Sequence, residues 1–421
     1  MSKSYKVQSG DTAAIIARKV YGDDSKAYLI TQGNPGSSLS VGNSIIIPDD
    51  PEGVVTGSAN ASASEPNEVV LSIQQKRFRF WTNVSLVQSI DSQSVVDFEA
   101  PFEPDFADHR STFRPFTFHD VTVEIGGLRA FTGTMVTATP QFSPNGRTMQ
   151  VSCYSKGGVL GDCTAPASAY PLEWNGAALP VIAKKVAGLF GIGVEFSGDA
   201  GPAFKKVRLR PGQKCMDFLA DLASHRMLTI GSKPDGILLF TREADTPGVP
   251  VASLSEGASP VISIKPFFSP QDYYSHVTGI SPVVIDDSLA NITGTTKSGG
   301  AKFTVKNTHI DTVLRPFTFN ARDSDDPNVK SATETKAGRM FGNAAVYEIE
   351  VGTWRDQSGN LWEHGKYVSL LAPSAMVYSR FTFLIRSVQF DKDSASEKAT
   401  LTLIMPGSLS GKIPGVLPWD E

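Results

Sequence analysis

The 421 residues carry 39 Lys and Arg against 43 Asp and Glu, a formal charge of -4 at pH 7, so no basic field exists to draw in a nucleic-acid backbone. At about 100–200 residues per domain several cores are expected, and 37 Gly, 27 Pro and 24 Phe point to turn-rich β structure rather than coiled coil. Three cysteines, Cys153, Cys163 and Cys215, form neither a CxxC pair nor an even framework and read as reduced, buried thiols.

The opening MSKSYKVQSGD lacks the apolar stretch of a secretory signal, and no run of 18 apolar residues could cross a bilayer. The expectation is synthesis in a cytoplasm without membrane insertion. A strand is expected over residues 5–8, after which Asp11 or Thr12 can accept from the free amides of a helix over 13–21. Ala13, Ile16, Ala17 and Val20 recur there at helical spacing and predict its buried stripe. A second helix over 25–32 stops at Gly33-Asn34-Pro35-Gly36, and the β-branched run Ile45-Ile46-Ile47 closes a β-α-α-β unit, residues 1–49. Residues 50–66 are Gly, Ser, Ala, Asn and acid with almost nothing large and apolar, the composition of a flexible linker.

From Val69 the period changes. Short strands over 69–74, 78–86, 95–98, 119–125, 128–136 and 148–154, with Gly126-Gly127 as a turn, predict a first antiparallel β-barrel-like domain, residues 67–155. Inside it, Phe98, Phe102 and Phe106 alternate with Pro101, Pro104 and the acids Glu99, Glu103 and Asp105. Aromatic anchors with a charged rim suit an interface loop, with Phe98, Phe102, Asp105 and Phe106 as its candidate residues; a solvated loop or a lytic carboxylate pair are the competing readings.

Residues 156–245 mix periods. Leu179, Ile182, Ala183, Val186 and Phe190 mark one face of a helix over 176–190, and Cys215, Phe218, Leu219 and Leu222 one face of a helix over 213–224. With strands over 193–196, 229–231 and 237–240, a small α+β domain is expected. Strands over 261–264, 276–285, 302–306, 318–321, 346–351, 367–371, 381–390 and 398–404, with a helix over 327–345, predict a second β-barrel-like domain with an inserted helix, residues 246–406. Residues 407–421 are left as a C-terminal tail. The pentapeptide Arg-Pro-Phe-Thr-Phe occurs at 114–118 and 315–319; since one copy leads to a strand and the other to a helix, it reads as coincidence.

Chemistry-bearing motifs are absent. The six histidines are scattered, without HExxH or zinc-ligand spacing. GxSxG, GxxxxGK[ST] and GxGxxG do not occur. Asp325-Asp326-Pro327 suits a helix N-terminus better than a calcium loop. The expectation is a protein that is not an enzyme, with no metal and no cofactor.

Two resemblances give these blocks an identity to test. Tyr5-x-Val7-x-x-Gly10-Asp11-Thr12, Ile16-Ala17, Asn34-Pro35, Leu39-x-Val41-Gly42 and Ile45-x-Ile47-Pro48 make the first unit resemble a LysM domain. The resemblance implies a shallow groove for N-acetylglucosamine-containing glycans, or for docking, formed at Gly10, Asp11, Thr12, Asn34 and Pro35. Residues 67–406 are similar to the baseplate hub proteins of contractile-tail phages of the Mu-like kind, through Phe131-Thr132-Gly133, Val151-Ser152-Cys153-Tyr154-Ser155-Lys156 and Leu160-Gly161-Asp162-Cys163. Leu209-x-Pro211-Gly212 and Gly359-x-Leu361-Trp362 extend it.

That resemblance implies a homotrimer in the virion tail baseplate, whose paired barrels make a pseudo-sixfold ring between a hexameric tail tube protein and a trimeric central spike protein. The fold class expected is mainly β within α+β: a βααβ LysM module, then two antiparallel β-barrel-like domains with a small α+β domain between them. The module would dock to another baseplate protein or to peptidoglycan. A tail-associated peptidoglycan-binding or lytic protein, targeted by the LysM module, is the alternative.

Overall fold

The structure, a computed structural model, describes residues 3–8, 10–21, 26–34, 39–47, 66–78, 81–143, 146–244, 246–281, 300–310, 312–321, 326–393 and 395–420. The expected linker, apart from its last residue, and positions Pro35, Phe80, 282–285 and Asp325 lie outside these. The chain divides into two compact units, residues 1–84 with 97–153 and residues 85–96 with 154–421.

The first unit begins with β1 (Lys3–Lys6), α1 (Ala13–Tyr21), α2 (Ala27–Gly33) and β2 (Ser44–Ile47), so the βααβ order is observed. β1 and β2 pair antiparallel, Lys3 opposite Ile47 and Lys6 opposite Ser44. Period-two alternation turns Ile45 and Ile47 inward beside Val7, Ile16, Ala17 and Ile30. Val20, expected on the buried stripe, is exposed; the larger Tyr21, one position on, packs against that core instead.

β3 (Val69–Ile73), β4 (Lys76–Phe78), β5 (Asn83–Ser89), β6 (Val95–Pro101), α3 (Ala107–Thr112), β7 (Asp120–Ile125), β8 (Leu128–Ser143) and β9 (Gly146–Ser155) follow. In the first unit the sheet order is β6-β9-β8-β7-β3-β4. The β7–β8 hairpin turns on Gly126 and Gly127, both at positive φ (56° and 79°). Paired positive φ is what a two-residue turn between right-twisted strands demands, and glycine adopts it without strain. Leu71, Ile73, Val121, Val123, Ile125 and Phe131 form the buried face.

In the second unit a small α+β layer comes first: α4 (Val159–Asp162), β10 (Leu172–Ala177), α5 (Leu179–Gly188), β11 (Val194–Ser197), β12 (Phe204–Leu209), α6 (Cys215–Ser224), β13 (Thr229–Ser232) and β14 (Leu238–Thr241). β10 and β12 pair antiparallel; β11 pairs parallel with β14, which pairs antiparallel with β13. Leu179, Ile182, Val186, Phe204, Leu219 and Phe240 belong to one core, as the helical stripes predicted.

The remainder comprises β15 (Ala252–Ser255), β16 (Val261–Phe268), β17 (His276–Ile280), β18 (Lys302–Lys306), β19 (Pro316–Asn320), α7 (Asp326–Ala344), β20 (Ala345–Val351), β21 (Tyr367–Ala372), β22 (Val377–Asp393) and β23 (Glu397–Ile404). The main sheet runs β16-β20-β23-β22-β5, with β21 joining β15 to β22. A separate sheet, β18-β17-β19, packs on α7 through Val277, Phe317, Phe319, Ala337 and Met340. The Trp354 and Trp362 rings are buried with each indole N–H satisfied, by Lys398 O (2.8 Å) and Thr353 O (2.9 Å).

Residues 407–420, expected as a tail, are packed. Leu409 and Leu417 are buried, and the Glu243 carboxylate accepts from the backbone N–H groups of Gly407 (2.7 Å), Leu409 (2.8 Å) and Ser410 (3.1 Å). Burial nevertheless pushes the Glu243 carboxyl above the usual carboxylate range, with the three donors opposing it. The same segment lies so close to α7 that a Cβ on Gly338 would meet Ser408 O at 2.6 Å and the Gly411 Cα at 2.7 Å.

Candidate interaction surfaces

At the N-terminal unit, Gly10 takes φ +87°, and the Thr12 hydroxyl accepts from Ile15 N (3.3 Å), capping α1. Asp11 serves the fold around it. Its carboxylate accepts from Gln8 N (2.8 Å), Tyr5 Oη (2.8 Å) and Lys19 Nζ (2.7 Å), and the Lys19 hydrogen bond chiefly holds its carboxyl below the ordinary value. Asn34 behaves like a piece of strand: its amide donates to Ile30 O (2.9 Å) and Ile46 O (2.7 Å) while its Oδ1 accepts from Ile46 N (2.8 Å). Pro35, the remaining groove residue, lies outside the described residues. Around these committed polar groups, Ile15, Val41 and Ile46 are exposed.

The aromatic loop is arranged differently from an array of outward anchors. Phe98 is a core residue of β6, as its place in the strand alternation requires. Phe102 and Phe106 pack on His109, at ring-centroid distances of 6.2 and 5.7 Å, and Phe113 closes the group 6.1 Å from His109. His109 is buried, and its Nδ1 accepts from Glu103 N at 3.1 Å. Asp105 alone of the four candidates is exposed. The helix α3, unforeseen because residues 101–109 read as proline-broken loop, delivers His109 into the middle of these rings.

The exposed aromatics sit just beyond. Phe116 is 87% exposed and Phe118 55%, both at positive φ, 61° and 50°, a conformation aromatic side chains disfavour. The second copy of the pentapeptide is strand β19, paired parallel with β17, and its Phe317 and Phe319 are packed against the α7 core. One sequence thus takes two backbone forms, and the chain-local signal could not say which copy was covered. Two further apolar exposures are Phe142 near the tip of the β8–β9 hairpin and Ile262, Phe267 and Phe268 on β16, an edge strand whose one partner among the described strands is β20.

No group of three or more His, Cys, Asp or Glu able to hold a metal occurs among the described residues, and no described helix is long and apolar enough to cross a membrane. An open groove of about 1090 Å³ is lined by Lys206, Arg208 and Arg210 together with Glu173, Asp217 and Asp221. Its lining mixes charges of both signs.

Residues 157–242 match the family described as "Baseplate hub protein gp44-like, second domain". No curated protein matches the chain. Among solved structures, the 43 kDa tail protein of prophage MuSo2 from Shewanella oneidensis is 24% identical, with a TM-score of 0.67 over 81% of this chain and 99% of that one. A tail protein from Neisseria meningitidis is 20% identical, with a TM-score of 0.68 over 82% and 99%. The E. coli c3393 protein, described as a component of the type VI secretion system with structural similarity to T4 bacteriophage tail proteins gp27 and gp5, is 11% identical, with a TM-score of 0.50 over 82% and 79%. Over residues 157–242 the chain is similar to the second domain of a gp44-like baseplate hub protein, and over four-fifths of its length it has the fold of these two tail proteins.

Proposed function

We propose that the chain is a structural hub of a contractile-tail baseplate, working as a homotrimeric ring that adapts a hexameric tail tube to a trimeric central spike. The observation that carries this reading is the hub-type domain at residues 157–242, set within a chain that shares the tail-protein fold along most of its length. Apolar side chains left in water at 116, 118, 262, 267 and 268 are the kind of surface a permanent assembly covers. No role in the reading calls for a catalytic group, a metal or a cofactor. The work is mechanical anchoring in the virion tail.

The N-terminal βααβ unit acts as a LysM-type docking module toward another baseplate protein or peptidoglycan. Because Asp11 and Asn34 spend their polar atoms inside the fold, docking would draw on backbone groups at Gly10 and on the exposed apolar rim.

Mass measurement in solution with low-resolution imaging tests the hub. A ring of three chains is expected; a monomer at micromolar concentration overturns it. Co-sedimentation of the protein with insoluble peptidoglycan then separates the two docking partners, glycan if the protein pellets and protein if it stays in solution. Clearing of a peptidoglycan suspension by the purified chain would instead favour the lytic alternative.

A further inference from the structure

Two of the three cysteines, Cys163 and Cys215, unremarkable in sequence, are brought together in one place. Cys163 follows α4 in extended conformation (φ -109°, ψ 152°), and Lys214, before α6, is extended as well (φ -66°, ψ 142°). Thr164 and Lys214 form an antiparallel bridge, and Cys215 N donates to Cys163 O at 3.1 Å. Across an antiparallel bridge the residue before Thr164 stands opposite the residue after Lys214, so Cys163 and Cys215 are direct neighbours. Their Cα atoms are then about 5.5 Å apart, inside the roughly 4.4–6.8 Å that a disulfide spans. Both are thiols in this structure. The two differ in access: Cys215 is buried, whereas Cys163 is only partly covered. Burial, and then the neighbouring Cys163, pushes the Cys215 thiol up.

We propose that Cys163 and Cys215 are a disulfide-forming pair, reduced while the chain is in a reducing cytosol and closed by a low-molecular-weight disulfide once it meets an oxidising medium. The accessible Cys163 thiolate attacks one sulfur of the small disulfide, forming a mixed disulfide and expelling one small thiolate. The Cys215 thiolate then attacks the Cys163 sulfur and expels the second. Two protein thiols lose two electrons, one small disulfide gains them, and the two protons pass to the departing thiolates. The new bond ties the end of α4 to the start of α6 and encloses β10, α5, β11 and β12, so the hub-like layer is stapled across its own core.

The test uses the full-length protein treated with oxidised glutathione at pH 8, then blocked in denaturant, digested and weighed by mass spectrometry. Free thiols should fall from three to one, with Cys153 remaining blocked as a thiol and a Cys163–Cys215 peptide pair two hydrogens lighter. The oxidised protein should melt several degrees above the reduced one. Cys215→Ser should stop at a glutathione adduct on Cys163, and Cys153→Ser should keep the crosslink. Three remaining thiols in the wild type, a stable adduct on Cys163 without closure, or a link through Cys153 or between chains would each overturn the proposal.

Discussion

Asp11 shows how much of a small module can hang on one carboxylate. It joins the end of β1, the turn before α1 and the last turn of α1 by taking Tyr5 Oη, Gln8 N and Lys19 Nζ together. From sequence it was legible as one of two acceptors at a helix start and as a candidate groove residue, and Thr12 turns out to hold the cap. Tyr5 and Lys19 become its neighbours only after the unit closes, which no local pattern encodes. A carboxyl held below its ordinary value stabilises the fold above that value and loses the contribution as the pH falls through its folded value. Asp11→Asn should therefore lower the melting temperature of the N-terminal unit by a few degrees at pH 7, and the difference from wild type should shrink below pH 3.8, the ordinary value. Thermal scans across that range check it; a difference that persists undiminished at acid pH would assign the effect to side-chain shape instead of charge. The same limit explains the aromatic loop. Phe102 and Phe106 read as interface anchors, and His109, the side chain they surround, sat outside the pattern because its helix was hidden behind prolines.

At the scale of elements, strong periodicity carried well and mixed composition did not. The helices over 13–21, 213–224 and 327–345 recur as α1, α6 and α7 within two residues at either end, because each buries an i, i+3, i+4 stripe. Strands β10 and β12 were invisible: FKKVRL carries three cations and LEWNGA a glycine, so neither shows alternation, and it is their mutual pairing that makes them strands. α7 carries the sharpest test at this scale. Its two glycines look like weak points in a helix, where alanine would ordinarily gain about 1 kcal/mol. At Gly338, though, the added carbon runs into backbone of the 408–411 segment. Forced backbone shifts cost about 1–3 kcal/mol, so Gly338→Ala should destabilise the protein by about 1 kcal/mol net, read from denaturant midpoints. A stabilised variant would show that the 407–411 segment yields freely.

For the molecule as a whole, composition already argued for a β-rich, multi-core protein without nucleic-acid affinity, and the structure is mainly β with several sheets. Hidden from sequence was which apolar residues stay in water, since exposure is decided by the last layer of packing. β16 is the clearest case. Only residues 261–264 read as a strand, yet β16 runs to Phe268 and leaves Ile262, Phe267 and Phe268 exposed, and an apolar strand with a single partner among the described strands invites pairing. If the ring forms as proposed, Phe267→Lys should leave the far-UV circular dichroism unchanged while shifting the mass distribution at least tenfold toward monomer. An unaltered trimer would move the interface to another of the exposed patches.

The place of β5 beside β22 also has a temporal side. Residues 85–96 leave the first unit's run of chain to join the second, where Ile90 N bonds Arg386 O (3.0 Å) and the Asp91 carboxylate meets the Arg386 guanidinium at 2.9 Å. Partners almost 300 positions apart cannot meet until β22 has left the ribosome, so this sheet is closed by one of the costliest loops the chain can form. β5 meets its hairpin partner β6 early, but its other edge waits for β22 through most of the chain's synthesis. Closure of this sheet is thereby timed by translation: a chain cut short before β22 cannot complete it.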